Sequence, residues 1–66
     1  MSIFSDRLNQ AIAMSGLTQR EVAEEAQTTE TTISRYCHGK REPSAYMIVN
    51  LCAVFNCSAD WLLGRE

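Results

Sequence analysis

Two helix-start signals stand close together in this chain, and their spacing constrains its architecture more than any other feature. Leu17-Thr18-Gln19-Arg20-Glu21 contains a capping box. The Glu21 amide donates to the Thr18 hydroxyl while the Thr18 amide donates to the Glu21 carboxylate, so a helix begins at Gln19. Thr29 is the second cap, and the β-branched Thr28 and Thr29 that follow Gln27 stop the first of these helices near Ala26. The chain must therefore turn sharply between two short helices. In the first, Val22, Ala23 and Ala26 point inward, and the small alanines let another helix approach closely. In the second, expected from about Thr29 to His38, Ile33, Tyr36 and Cys37 share one side. Thr31, Ser34, Arg35 and His38 share the other, which is polar and almost free of aliphatic residues.

The flanking segments read the same way. Upstream, Phe4, Leu8, Ala11, Ile12 and Ser15 form one stripe of an amphipathic helix, capped by Ser2 or Ser5 and ended by Gly16. Downstream, Gly39 closes the polar helix and Lys40-Arg41-Glu42-Pro43 forms a loop, because the residue before a proline avoids helical geometry. Ser44 caps a fourth helix from Ala45 to Phe55, apolar at Met47, Ile48, Leu51, Cys52, Val54 and Phe55. Asn56 takes the left-handed position that stops it. Ser58 caps a last short helix through Asp60-Trp61-Leu62-Leu63, with Gly64 after it. Strand signals, internal repeats and linker-like stretches are absent, so residues 1–66 are expected to form one all-α domain of five helices with the motif at about 18–38.

Composition narrows the function classes. A chain of 66 residues buries only about 60% of its unfolded surface, and it leaves no room for a second lobe around a substrate cleft. One histidine, no paired carboxylates in a plausible pocket and no phosphate-cradling glycine loop argue against an enzyme. The longest apolar stretches are broken by Asn50 and ended by Asn56, far short of the roughly 20 residues that span a bilayer. The amino terminus has no signal-peptide pattern, and a cytoplasmic, unprocessed protein is expected. Cys37, Cys52 and Cys57 are odd in number and lie within helical patterns, so reduced, partly buried thiols are expected instead of a disulfide framework. A metal site from Cys37, His38, Cys52 and Cys57 lacks any CxxC pair, and adjacent Cys37 and His38 diverge by about 100° on a helix. No metal, cofactor or small-molecule ligand is expected.

The net charge of −2 stands against nucleic-acid binding, since affinity for a duplex rests largely on phosphate neutralisation. Distribution matters more than the sum. Four of the six basic residues, Arg20, Arg35, Lys40 and Arg41, fall in the two motif helices and the loop after them. Glu21, Glu24 and Glu25 share that window, so any basic surface must be narrow.

Four blocks then stand in order: Leu17-Thr18-Gln19-x-Glu21-Val22-Ala23, Thr28-Thr29-x-x-x-Ile33-Ser34-Arg35, Gly39-Lys40-Arg41-x-Pro43-Ser44, and Ser58-Ala59-Asp60-Trp61-Leu62-Leu63-Gly64. Over residues 3–64 the chain closely resembles the phage repressor and Cro-type helix-turn-helix family. The resemblance implies a lambda-repressor-like fold in which Gln19 and the Thr29 region contact phosphates. Glu30, Thr31 and Arg35 would face base edges, and Lys40 and Arg41 match the family's phosphate-contacting loop. Gln27 stands where family members often carry glycine, which implies a strained turn, and Cys37 stands where a polar or acidic residue is common.

Each of these residues also has a plainer role. Glu30 either favours a helix amino terminus through the dipole or accepts from a base edge. Arg35 pairs either with guanine or with a surface carboxylate. Thr28, Thr29, Thr31 and Thr32 form a cap and a stiff turn, or meet phosphate and thymine methyl groups. His38 reads first as a solvated helix-end residue. Trp61, Leu62 and Leu63 read as core, any exposed excess serving as an interface. The leading expectation is a sequence-specific transcriptional regulator, a repressor that binds double-stranded DNA at a palindromic operator as a homodimer. The alternative is a helix-turn-helix-fold interaction module of adaptor or antitoxin-like type, which the acidic balance supports.

Overall fold

The structure, a computed structural model, describes residues 2–66. Five helices follow one another: α1 (Ile3–Ser15), α2 (Gln19–Ala26), α3 (Glu30–Cys37), α4 (Ala45–Phe55) and α5 (Ala59–Leu62), with no strand among the described residues. Every helix starts at a hydroxyl. The side chains of Ser2, Thr18, Thr29, Ser44 and Ser58 each accept from the backbone N–H three residues on, which satisfies one of the amides that a helix start leaves without a partner.

Each helix contributes to one core. Leu8 of α1, Val22 and Ala26 of α2, Ile33 of α3, Leu51 of α4 and Leu62 of α5 are all fully buried. Phe4 meets Tyr36 edge-on at a centroid distance of 5.7 Å, joining α1 to the inner face of α3. Met47, Cys52, Val54, Phe55 and Trp61 pack around this centre and are only partly buried.

One expectation for α1 needs correction. Ser15 does not belong to the buried stripe; it is exposed, donates to the Ile12 carbonyl at 2.8 Å and accepts from the Leu17 amide at 3.0 Å. A hydroxyl in the last helical turn gains more from the carbonyls and amides left without partners there than from an apolar core. The buried serine is Ser5, whose hydroxyl donates to the Ser2 carbonyl at 2.9 Å, while Ser2 is the cap. At the other end, α5 stops at Leu62, and Leu63 is 43% exposed.

Polar side chains join the chain ends. Arg7 donates to the carbonyls of Trp61 and Glu66, at 3.0 Å each, and its guanidinium lies 4.9 Å from the centroid of the Trp61 ring. This basic residue ties α1 to α5 and the carboxy terminus.

Candidate nucleic-acid interface

The capping box sets the position of α2. Glu21 N–H donates to Thr18 Oγ1 at 3.1 Å and Thr18 N–H donates to Glu21 Oε1 at 2.9 Å. The Glu21 carboxyl is held below its ordinary pKa, first by the Thr18 backbone amide and then by the Thr18 side chain. The helix ends at Gln27, which adopts the left-handed conformation with φ 61° and ψ 48°. Thr28 N–H then donates to the Ala23 carbonyl at 2.9 Å and closes the turn. The strained glutamine inferred from the sequence is present, in a conformation that costs a non-glycine residue roughly 1 kcal/mol.

Thr29 caps α3 by accepting from Thr32 N–H at 3.1 Å, and its hydroxyl also lies 2.9 Å from that of Thr32. Two asparagines hold the helix pair from behind. Asn50 of α4 donates to the Ala26 carbonyl at 3.1 Å, and Asn9 of α1 donates to the Cys37 carbonyl at 2.9 Å. Both carbonyls belong to the final residue of a motif helix, where no intrahelical donor is available. Neither role is legible in the sequence. The signal was an amide inside an amphipathic pattern, and Asn50 registered only as a break in an apolar run.

The outer face of α3 is arranged as expected. Ile33, Tyr36 and Cys37 are buried, whereas Thr31, Arg35 and His38 are exposed and Ser34 is half-buried. A shallow concavity opens between this face and the start of α2. Gln19, Glu30 and Thr31 line one part of it; Ser34, Arg35, His38 and Lys40 line the rest. His38 Nδ1 lies 2.8 Å from the Ser34 carbonyl, which can only accept, so Nδ1 carries a proton and Nε2 is left as an acceptor in the neutral ring.

Arg35 and Lys40 are brought together by the way α3 ends. Gly39 takes the left-handed conformation at φ 70°, and Lys40 N–H donates to the Arg35 carbonyl at 2.9 Å. This closure brings the two bonded residues close together, a place commonly filled by an apolar pair, and both line the concavity. Here both are cations. Among the described residues the ion pair is Arg20 with Glu24, 3.6 Å apart and exposed, so Arg35 and Lys40 have no carboxylate partner.

Four residues singled out from the sequence stand outside the lining of this concavity. Arg20 pairs with Glu24, Thr28 sits half-buried in the turn, Thr29 serves as the cap, and Arg41 is exposed in the following loop.

A short polar helix, presented by a tight turn and bordered by cations that form no ion pair, defines a helix-turn-helix domain. The chain belongs to the helix-turn-helix family in its phage repressor and Cro form; the family pattern matches residues 8–62. It is 33% identical over 60 residues to the HTH-type transcriptional regulator ImmR of Bacillus subtilis, covering 91% of this chain and 47% of that protein. It is 34% identical over 62 residues to the HTH-type transcriptional regulator for conjugative element SXT of Vibrio cholerae, covering 94% of this chain and 28% of that protein. The chain thus spans half or less of the length of these relatives. Its fold matches the P22 c2 repressor, solved in complex with a synthetic operator, with a TM-score of 0.91 and full coverage of both chains at 18% identity.

Proposed function

We propose that this protein is a sequence-specific transcriptional regulator, a repressor that occupies a roughly palindromic operator on double-stranded DNA as a homodimer. The observation that carries the proposal is the pair Arg35 and Lys40, two cations that line one concavity on the outer face of the motif helix and form no ion pair. With α3 in the major groove, the Arg35 guanidinium donates two parallel hydrogen bonds to O6 and N7 of guanine. Thr31 and Ser34 meet neighbouring base edges, Glu30 accepts from a cytosine amino group, and His38 offers Nε2. Gln19, Thr28, Thr29, Lys40 and Arg41 lie against the phosphates. Arg20 joins them by leaving its surface pair with Glu24, a contact that contributes little in water.

Two copies would place their α3 helices in successive major grooves about 34 Å apart. The apolar residues exposed on α4 and just after α5, Val49 and Leu63, supply the self-association face. The naming of relatives as transcriptional regulators and the operator complex of the structural neighbour support this reading. It calls on no metal, cofactor or small ligand, and it assigns no catalytic role. Among the described residues, no helix is long and apolar enough to cross a membrane.

Selection of bound duplexes from a random pool tests the proposal. A preferred site with two-fold symmetry is expected. Replacing Lys40 and Arg41 with Ala should weaken all duplexes alike and lower the slope of log affinity against log salt by about two, with sequence preference intact. If no duplex is retained even at low salt, the domain is an interaction module that keeps the fold without reading DNA.

A further inference from the structure

Four of the five helices end with the same backbone closure, in which an N–H donates to a carbonyl five residues earlier. Thr28 donates to Ala23 at 2.9 Å, Lys40 to Arg35 at 2.9 Å, Cys57 to Cys52 at 3.1 Å and Arg65 to Asp60 at 2.7 Å. The closure brings the two bonded residues close together, and their side chains frequently meet across it. At the end of α4 that pair is two thiols.

The backbone geometry suits a bond between them. A 3.1 Å hydrogen bond from Cys57 N–H to the Cys52 carbonyl limits their Cα separation to about 7 Å, reached only if all the intervening atoms are collinear. The roughly 120° bond angles at the carbonyl carbon and the amide nitrogen forbid that collinear limit and shorten the separation towards the range of about 4.4–6.8 Å that a disulfide spans. Both residues are half-buried, one on each side of the turn that closes α4. Cys57 also lines an open groove with Met14, Phe55 and Trp61. Cys37 lies apart on α3, 3% exposed.

We propose that Cys52 and Cys57 are a dithiol site that a low-molecular-weight disulfide converts reversibly to an intrachain disulfide. In the first step the Cys57 thiolate attacks one sulfur of the small disulfide; that S–S bond breaks, and the departing thiolate takes up a proton. Cys52 then loses its proton to water, attacks the Cys57 sulfur and expels the second small thiol. Two protein thiols and one small disulfide become one protein disulfide and two small thiols; the protein sulfurs give up the two electrons that the small disulfide accepts. The order follows from the surroundings. The Cys52 thiol is pushed up to about 11 by burial first and then by the neighbouring Cys57 thiol. It is therefore a poor first attacker, and forming the mixed disulfide removes the charge that Cys57 would otherwise place beside it.

The reduced full chain, incubated with oxidised glutathione, tests this by mass. The expected product is two hydrogens lighter and carries no glutathione. Both cysteines should become resistant to alkylation in the single tryptic peptide from Glu42 to Arg65, while Cys37 remains alkylatable after denaturation. Emission from Trp61, the one tryptophan in the chain, should fall as the new disulfide in its groove quenches the indole and recover with dithiothreitol. Cys52→Ser should stop at one glutathione on Cys57. A lasting glutathione adduct on the unmodified chain, a bond between chains, a bond that includes Cys37, or no reaction until denaturant is added would each overturn the proposal.

Discussion

Arg7 and Arg35 carry the same guanidinium on helices of the same small domain, and the structure treats them in opposite ways. Arg7, on the seam between α1 and α5, donates to two carbonyls and lies against the Trp61 ring. Arg35, on the outer face of α3, forms no ion pair and lines the same concavity as a second cation, Lys40. The seam is saturated with internal partners, and the face is left unsatisfied. A side chain that has already found its partners stabilises the fold, whereas one that has not is available to a ligand. The net charge of −2 therefore says little about DNA binding. What counts is that the cations over the concavity are not neutralised by the carboxylates around them.

The contrast is testable from both sides. The largest effect should come from the core beneath the seam: Leu8→Ala removes a fully buried side chain and should cost about 2–5 kcal/mol, enough to unfold much of a domain this small. Denaturant titration measures it, and a loss below about 1 kcal/mol would place Leu8 outside the cooperative core. Next in size, Arg35→Ala should cost about 1–3 kcal/mol per half-site on the preferred operator and relax selection at one base pair. Its stability should stay within about 0.5 kcal/mol of the parent. Equal loss on operator and random DNA would make Arg35 a phosphate contact.

Arg7→Ala is the mirror experiment. Losing hydrogen bonds from a charged donor together with a cation–π contact should lower stability by about 1–2 kcal/mol. Measured well below its melting temperature, the variant should keep the parent's salt slope in DNA binding. A reduced slope would erase the distinction between seam and face. Gln27→Gly should raise stability by up to about 1 kcal/mol, because glycine tolerates the φ of 61° at the turn. The gain should be read as a higher denaturation midpoint.

The smallest effect is a pH dependence at the capping box. The Glu21 carboxyl is held below its ordinary pKa in the folded chain, first by the Thr18 amide. Its contribution is therefore complete above the unfolded carboxylate pKa of about 4.3 and is lost as pH falls through the lower folded value. Glu21→Gln should flatten the acid limb of stability against pH without moving the neutral plateau far. If the limb is unchanged, other carboxylates govern acid unfolding.

What the sequence determined by itself was local. Helix starts at Thr18, Thr29, Ser44 and Ser58, the left-handed Asn56, and the inner and outer faces of α3 were all legible, while the strained turn at Gln27 followed only from the family resemblance. Caps and turns involve atoms within about six residues of one another, so the chain carries their partners with it. The contact of Cys52 with Cys57 was equally local. Its signal is a spacing of five residues across a helix end, which neither a disulfide framework nor a metal set displays. Tertiary structure alone decided the rest: Asn9 reaching Cys37, Asn50 reaching Ala26, Arg7 clamping the chain ends, and the gathering of Gln19, Glu30, Arg35 and Lys40 around one concavity. The first three join residues far apart in sequence, and the concavity draws its lining from two helices and the loop after them. Their geometry exists only once the helices have packed, because a side chain's distant partner depends on crossing angles and depths that no local pattern encodes.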